Sequence, residues 1–446
     1  DGGDRSLEHT HVSGGGDVMG RTVGFMTLGC KVNQYDTQSI QKQFTDQGWR
    51  VVPFTETADA YVINTCTVTG EAARKSRQMI RRAHRVNPGA SIVVVGCLSQ
   101  QQGEDLLDLP GVRLIVGTDD RGDIPQRLSD GNAVGKIAPV REFEELPVDM
   151  GWERARAVIK VQDGCDRYCA YCIIPHVRGR VRSRDPENVI EEAERLVSAG
   201  YREIVLTGIH VSSYGKERGD IDLPALAARV HGIEGLDRLR LGSLEPDHMR
   251  DDWIETFAGL SKLCRHYHLS LQSGSDAVLQ RMNRSYDTNR FTAVVSSLRK
   301  HIPDVSVTTD VIVGFPGETE GEFRDSLAFV EWTGFSRVHV FPYSRREGTK
   351  AADMPGQISK AVKTERVSRM MEAARRGQTR YMEAQIGKTL DVLFEETLDG
   401  RWEGYTGTYL RTAVESGADL QGEIRAVRLD AIEGEMILGS LDVEET

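Results

Sequence analysis

The sequence has no segment fit to cross a membrane. Its longest apolar run, residues 92–98, contains a glycine and has only the length of a strand. The first 19 residues carry Gly, His, Asp and Ser where a signal peptide would have an apolar core, so residues 1–20 are expected to form a disordered leader. Positive charge is not in excess: 56 Lys and Arg stand against 67 Asp and Glu, a net charge of -11, which excludes a uniformly basic coat for nucleic acid. Cysteine is scarce as well. Seven is an odd number, and the clustering of these residues suits metal ligation in a reducing compartment better than a disulfide framework, so the cytoplasm is expected. What remains is ordinary for a globular protein: 39% hydrophobic and 28% charged residues over 446 positions, enough for about three domains of roughly 150 residues.

The organising stretch is residues 161–184, where Cys165, Cys169 and Cys172 follow a short apolar run at C-x3-C-x2-C spacing. Three thiols on one loop make a metal site, and the missing fourth ligand is informative because structural sites normally complete their coordination with four protein ligands. His176 could complete a zinc knuckle. Against zinc, Pro175 and the Ile173-Ile174 pair stiffen the tether to His176, and the first gap is longer than in paired zinc turns. With Tyr171 directly before the last Cys, the motif resembles the signature of radical S-adenosylmethionine enzymes. The resemblance implies a 4Fe-4S cluster on these three catalytic cysteines, with S-adenosylmethionine on the open iron as the source of a 5'-deoxyadenosyl radical.

Upstream, residues 21–140 alternate strand patterns (22–26, 60–64, 91–96, 113–116) with helical ones (34–47, 68–86, 100–107), which predicts an open α/β sheet. Cys30, Cys66 and Cys97 fall just after the first, second and third of these strands. A lone Cys there is ordinarily a small buried hydrophobe. Three in phase converge where open sheets bind ligands, beside helix N-termini that favour negative charge. The segments TLGCKVNQYDT, NTCTVT and VGCLSQ resemble the Cys motifs of the methylthiotransferase family, and the likeness runs from about residue 21 to the C-terminus. It implies a second 4Fe-4S cluster on Cys30, Cys66 and Cys97. Asn33 and Asn64 match motif positions beside it, although Asn also caps helices and turns without any chemistry. Because the two triads come from separate βα units, the two centres are expected to be independent.

After an acidic linker at 141–153, residues 154–380 carry six strand patterns (157–161, 204–207, 238–244, 267–271, 305–313, 337–341) interleaved with helices, the expectation being a partial (β/α)6 TIM-like barrel. Asp185, Pro186, an apolar stripe and Gly200 mark its first long helix. Strand ends then nominate Thr207, Gly208, Gln272, Ser273 and Gly314, with Tyr171, as S-adenosylmethionine contacts; the family's glycine-rich motif is here replaced by TGIH. Residues 381–446 change to alternation with Gly-rich turns, predicting a small OB-like β-barrel that resembles the TRAM RNA-binding domain, with a structural cap as the plainer alternative.

The arginines are gathered in three groups: 74–85, 178–184 and 366–380. Such runs are commonly solvated faces, but three of them favour a phosphate-binding surface, and Arg178, Arg180 and Arg184 beside the Cys loop are the candidate RNA contacts. GCKVNQY and CRHYHLSLQSGSD are most similar to the family branch that acts on N6-threonylcarbamoyladenosine in the tRNA anticodon stem-loop. That resemblance implies a tRNA methylthiotransferase served by an electron donor such as flavodoxin or ferredoxin and by a sulfur source. The alternatives are a methylthiotransferase for isopentenyladenosine tRNA or for a ribosomal protein, and a non-catalytic zinc-containing RNA-binding protein.

Overall fold

The computed structural model describes residues 20–131, 142–146, 148 and 155–442. The expected leader lies outside these residues apart from Gly20, as does most of the expected linker. The N-terminal unit runs β1 (Thr22–Thr27), α1 (Lys31–Asp46), β2 (Arg50–Val52), β3 (Ala60–Thr65), α2 (Gly70–Val86), β4 (Ser91–Gly96), α3 (Cys97–Gln102), β5 (Val112–Ile115) and α4 (Ile124–Ser129). Its sheet is parallel in the order β2-β1-β3-β4-β5. β3 is buried along its whole length and β4 nearly so, as expected of continuous apolar strands covered on both faces. β2 escaped the sequence reading because three edge residues carry no periodic signal. α2 starts where Thr69 accepts from the Ala72 amide, two residues later than its apolar pattern suggests.

The central unit follows as β6 (Arg156–Asp163), α5 (Ile174–Arg178), β7 (Arg182–Ser183), α6 (Pro186–Ser198), β8 (Glu203–Gly208), α7 (Leu223–His231), β9 (Arg238–Leu241), α8 (Asp251–Gly259), β10 (His266–His268), α9 (Asp276–Arg281), α10 (Thr288–His301), β11 (Ser306–Val313), α11 (Glu320–Thr333), β12 (Arg337–Pro342) and α12 (Lys360–Glu383). β6, β8 and β9 pair in parallel, and so do β10, β11 and β12. Parallel bridges at Leu239–Leu263 and Leu244–Leu269 join the two sheets into the expected six-stranded partial barrel. Ile204, Leu206, Leu239, Leu269 and Val307 pack with the helices. Alternate positions are polar and bond one another, as Arg240 does with Glu203 and His266 with Thr308.

The chain ends in β13 (Thr389–Leu398), β14 (Arg401–Thr406), β15 (Arg411–Val414), β16 (Ile424–Glu433) and β17 (Met436–Leu441), a closed barrel around Val392, Phe394, Val427, Leu429 and Ile437. The small barrel docks on the end of the central barrel where strands begin. Tyr409, in a left-handed conformation at φ 67° between β14 and β15, stacks on His266 at 4.8 Å, with Arg240 4.7 Å and Arg156 5.3 Å from its ring centre. Arg238 donates to the Asp391 and Tyr405 carbonyls and Arg156 pairs with Glu395 at 2.7 Å. Stacking and cation–π contacts of this kind together stabilise by about 2 kcal/mol. Tyr409→Ala should therefore lower the unfolding free energy in urea by about that amount, with Tyr409→Phe close to wild type; equal stability of the Ala variant would show that the ring does not hold the two barrels together.

Candidate active site

The first cysteine loop leaves β6 through Gly164, whose φ of 72° and a virtual Cβ only 1.8 Å from the Arg180 carbonyl admit glycine alone. The Cys165 amide donates to the Gly179 carbonyl at 3.0 Å, the Ala170 amide to Met282 at 2.9 Å and the Cys172 amide to Cys169 at 2.9 Å, so the loop is pinned at each turn. All three thiols are free. Burial pushes Cys165 up to about 11 and Cys172 up to about 12, and a neighbouring Cys169 thiolate adds to both shifts. Cysteine sulfurs crowded in a desolvated pocket fit a group that brings positive metal charge to them. Arg284 Nη1 donates to Cys169 Sγ at 3.1 Å while its other nitrogens hold Glu245 and Tyr286.

His176 is exposed and meets Tyr168 edge-on at 5.8 Å. Ligand atoms of one zinc ion must lie close to one another. Among the described residues, only His268, Asp310 and His339 bring three such atoms within 4.8 Å, on the neighbouring strands β10, β11 and β12. The cysteine triads are wider and fit a polynuclear cluster, which argues against the zinc knuckle.

The second triad forms because β1, β3 and β4 are adjacent and parallel. Cys30 precedes α1, Cys66 follows β3 and Cys97 opens α3, all at carboxyl ends. A Cβ on Gly29, at φ 102°, would lie 2.9 Å from the Cys66 Cβ, so only glycine lets the Cys30 turn approach. Cys97 is pushed up to about 11 by burial, against the pull of Arg178 and with the Cys30 and Cys66 thiolates adding to the rise. Asn33 and Asn64 do more than cap: Asn33 donates to the Leu28 and Thr65 carbonyls and Asn64 to the Asn33 carbonyl, lashing α1 to the strand ends beneath the cysteines.

Models of two families match the chain: the Radical SAM superfamily over residues 159–330 and Uncharacterized protein family UPF0004 over residues 22–117, each spanning one cysteine triad. Threonylcarbamoyladenosine tRNA methylthiotransferase MtaB of Bacillus subtilis is 42% identical over 92% of this chain and 93% of its own length. The chain belongs to the radical S-adenosylmethionine methylthiotransferase family. The tRNA-2-methylthio-N(6)-dimethylallyladenosine synthase of Moorella thermoacetica is 36% identical over 94% of this chain and 99% of its own. The radical S-adenosylmethionine methyltransferase TsrM of Kitasatospora setae shares the fold at a TM-score of 0.52 and 16% identity, covering 75% of this chain and 77% of that one. As a radical methylthiotransferase, the chain uses S-adenosylmethionine and two 4Fe-4S clusters.

The other nominated residues of this methylthiotransferase fall at the same mouth. Thr207 and Gly208 end β8, Gln272 and Ser273 follow β10, and Gly314 follows β11 with its amide on Glu318 at 2.7 Å. Tyr171 packs beside Phe315 and Tyr343. Arg178 and Arg184 require correction as RNA contacts. Arg178 is 0% exposed, its Nη1 on both oxygens of Asp163 and its Nη2 on Asn33; Arg184 is buried against Glu192 and Glu145. Guanidiniums buried and held by carboxylates are not presented to phosphate at the surface. Arg180 alone of the three is exposed. The third basic group is likewise largely consumed, Arg366 by Glu318, Arg369 by Glu320 and Arg376 by Glu331. Arg284, Glu245 and His210 had been missed, since a lone residue in a loop carries no spacing signal. His210, Arg167 and Arg284 line a cavity of about 450 Å³ beside the first loop.

His210 is driven down to about 3, first by burial and then by Arg167 and His248. A base with a depressed pKa stays neutral in the fold while the unfolded chain protonates below about 6.5, so its contribution is intact above that pH and is lost progressively toward pH 3. Between pH 7 and 5, urea unfolding of the wild type should lose about 2 kcal/mol more than that of His210→Asn. Parallel losses in the two proteins would remove His210 from the acid response.

Proposed function

We propose that this chain adds a methylthio group to C2 of N6-threonylcarbamoyladenosine beside the tRNA anticodon, with Cys165, Cys169 and Cys172 holding the cluster that cleaves S-adenosylmethionine and Cys30, Cys66 and Cys97 holding the other. The observation that carries this is that each cysteine triad lies at the carboxyl ends of a parallel sheet, and that Arg178, on the helix following the first triad, reaches Cys97 of the second. When bound, S-adenosylmethionine supplies a methyl group and a radical that removes hydrogen from an unactivated C–H bond. The protein's part is positional. Gly164 and Gly179 fold the first loop so that its thiols share one pocket, and the mouth formed by Thr207, Gly208, Gln272, Ser273 and Gly314 receives the cofactor. Gln272 sits at φ 66°, its amide on the Asp310 carbonyl at 2.9 Å and its carbonyl on the Ile312 amide at 2.8 Å, so its backbone pairs with β11 beyond the end of β10.

The unit at 21–140 would carry the second cluster, that at 154–380 the radical chemistry, and the barrel at 381–446, TRAM-like in its five closed strands, would grip RNA. A loop nucleotide can be splayed into such a mouth without opening a duplex. For phosphate, the structure favours α2: Lys75, Arg81, Arg82 and Arg85 are exposed there with no ion pair among the described residues. The electron donor we expect is a flavodoxin or ferredoxin, with a separate sulfur source, and the cytoplasm is where such partners meet tRNA.

Joint replacement of Cys165, Cys169 and Cys172 by Ala should halve bound iron and abolish reductive cleavage of S-adenosylmethionine; full iron retention would refute their role as ligands. The substrate is decided by mass spectrometry of tRNA nucleosides from a deletion strain. Loss of 2-methylthio-N6-threonylcarbamoyladenosine supports the proposal. Its retention, with loss of the isopentenyl analogue, would favour the reading that the Moorella relative's similarity also supports.

A further inference from the structure

Arg178 lies six residues past Cys172, at the end of α5, yet its Nε donates to Cys97 Sγ of the other triad at 3.3 Å. Its orientation is over-determined. Nη1 holds the two oxygens of Asp163 at 2.9 and 3.0 Å, and Nη2 donates to Asn33 Oδ1 at 2.6 Å and approaches Asp36 Oδ2 at 3.4 Å. Asp163 is itself held by Lys160 at 2.6 Å and Arg182 at 3.3 Å, while Lys160 and Arg121 hold Asp36. The guanidinium therefore cannot turn away from the sulfur, and with no exposed surface it acts through a medium of low dielectric.

We propose that Arg178 is a positioning residue that sets the reduction potential of the cluster on Cys30, Cys66 and Cys97, keeping it more easily reduced than its thiolates and burial alone would allow. The inference rests on the assignment of that cluster to these three cysteines. Reduction adds one negative charge to an iron-sulfur centre, and hydrogen bonds to its sulfurs together with nearby positive charge stabilise the more negative form. Nε–H supplies the bond and the guanidinium supplies the charge. Because Arg178 is carried by the radical loop's own helix, a shift of that loop would also move the donor away from Cys97, so the second centre would sense how the first loop is seated.

The test is an anaerobic redox titration with dithionite, followed by electron paramagnetic resonance, on enzyme reconstituted with iron and sulfide. Wild type is compared with Arg178→Lys, which keeps a charge and loses the directed N–H, and with the paired variant Arg178→Gln/Asp163→Asn, which removes a buried anion together with the cation. In the paired variant the ratio of reduced to oxidised second centre at fixed potential should fall at least tenfold, which is 59 mV for a one-electron couple. Arg178→Lys should fall in the same direction by less, and the centre on Cys165, Cys169 and Cys172 should keep its potential in both. Unchanged potentials at the second centre would overturn the proposal and leave Arg178 a structural tether. So would folded variants that load only the first centre, since Arg178 would then serve to assemble the second cluster and not to set its potential. A wild-type protein that loads only one cluster would instead overturn the underlying assignment.

Discussion

The structure depends on a buried ion network in which the cations Arg178, Lys160, Arg121 and Arg182 surround the carboxylates Asp36 and Asp163. Asp36 comes from α1 of the N-terminal sheet and Asp163 from the end of β6, so the network is also the seam between the two cysteine-bearing units. Desolvating so many charges is costly, and ion pairs of this kind roughly break even against a well-packed apolar core. What they supply is direction. A greasy seam would tolerate sliding by an ångström, whereas carboxylates locked between guanidiniums fix the angle at which one triad faces the other. Asp163 is held well below the usual carboxylate range chiefly by Arg178 and Lys160, which outweigh its burial. A folded carboxylate with a depressed pKa contributes stability above about pH 4 that is lost only as the pH falls through the lower value, so the seam survives mild acid.

That seam also explains which parts of the chain were legible in advance. The two cysteine triads were, because ligands three or four positions apart, or set in phase after successive strands, leave their chemistry in the local pattern. The six strands of the partial barrel were legible for the same reason, through the period of two. The function of Arg178 was not. Its partners Asn33 and Asp36 lie 145 and 142 residues away, and nothing local distinguishes an arginine that will be swallowed by carboxylates from one that will meet phosphate. Separate folding of the two units does not prevent one from lending a side chain to the other: Arg178, on the helix after the first triad, bonds Cys97 of the second.

The basic groups carry a related lesson. The arginines of 178–184 and 366–380 look alike in sequence to those of α2, yet acidic partners close over most of the first two groups, while Lys75, Arg81, Arg82 and Arg85 of α2 stay in solvent. With a net charge of -11, approach to RNA cannot depend on the protein's overall field. It has to depend on local surfaces, screened beyond about 8 to 10 Å, that touch phosphate directly.

The C-terminal barrel fits into this arrangement through its docking side. Tyr409 seals the end of the central barrel where strands begin, with Arg156 and Arg240 against its ring, while the loop of Cys165, Cys169 and Cys172 leaves the opposite, carboxyl end of β6. Closing the far end with an aromatic ring and satisfied guanidiniums keeps the polar barrel lining from opening straight to water on that side. Arg240 is paired to Glu203 and donates to the Thr406 and Gly407 carbonyls, so its charge is spent on holding the seal. The small barrel thus has a structural role at its inner face that is independent of whatever its outer face binds.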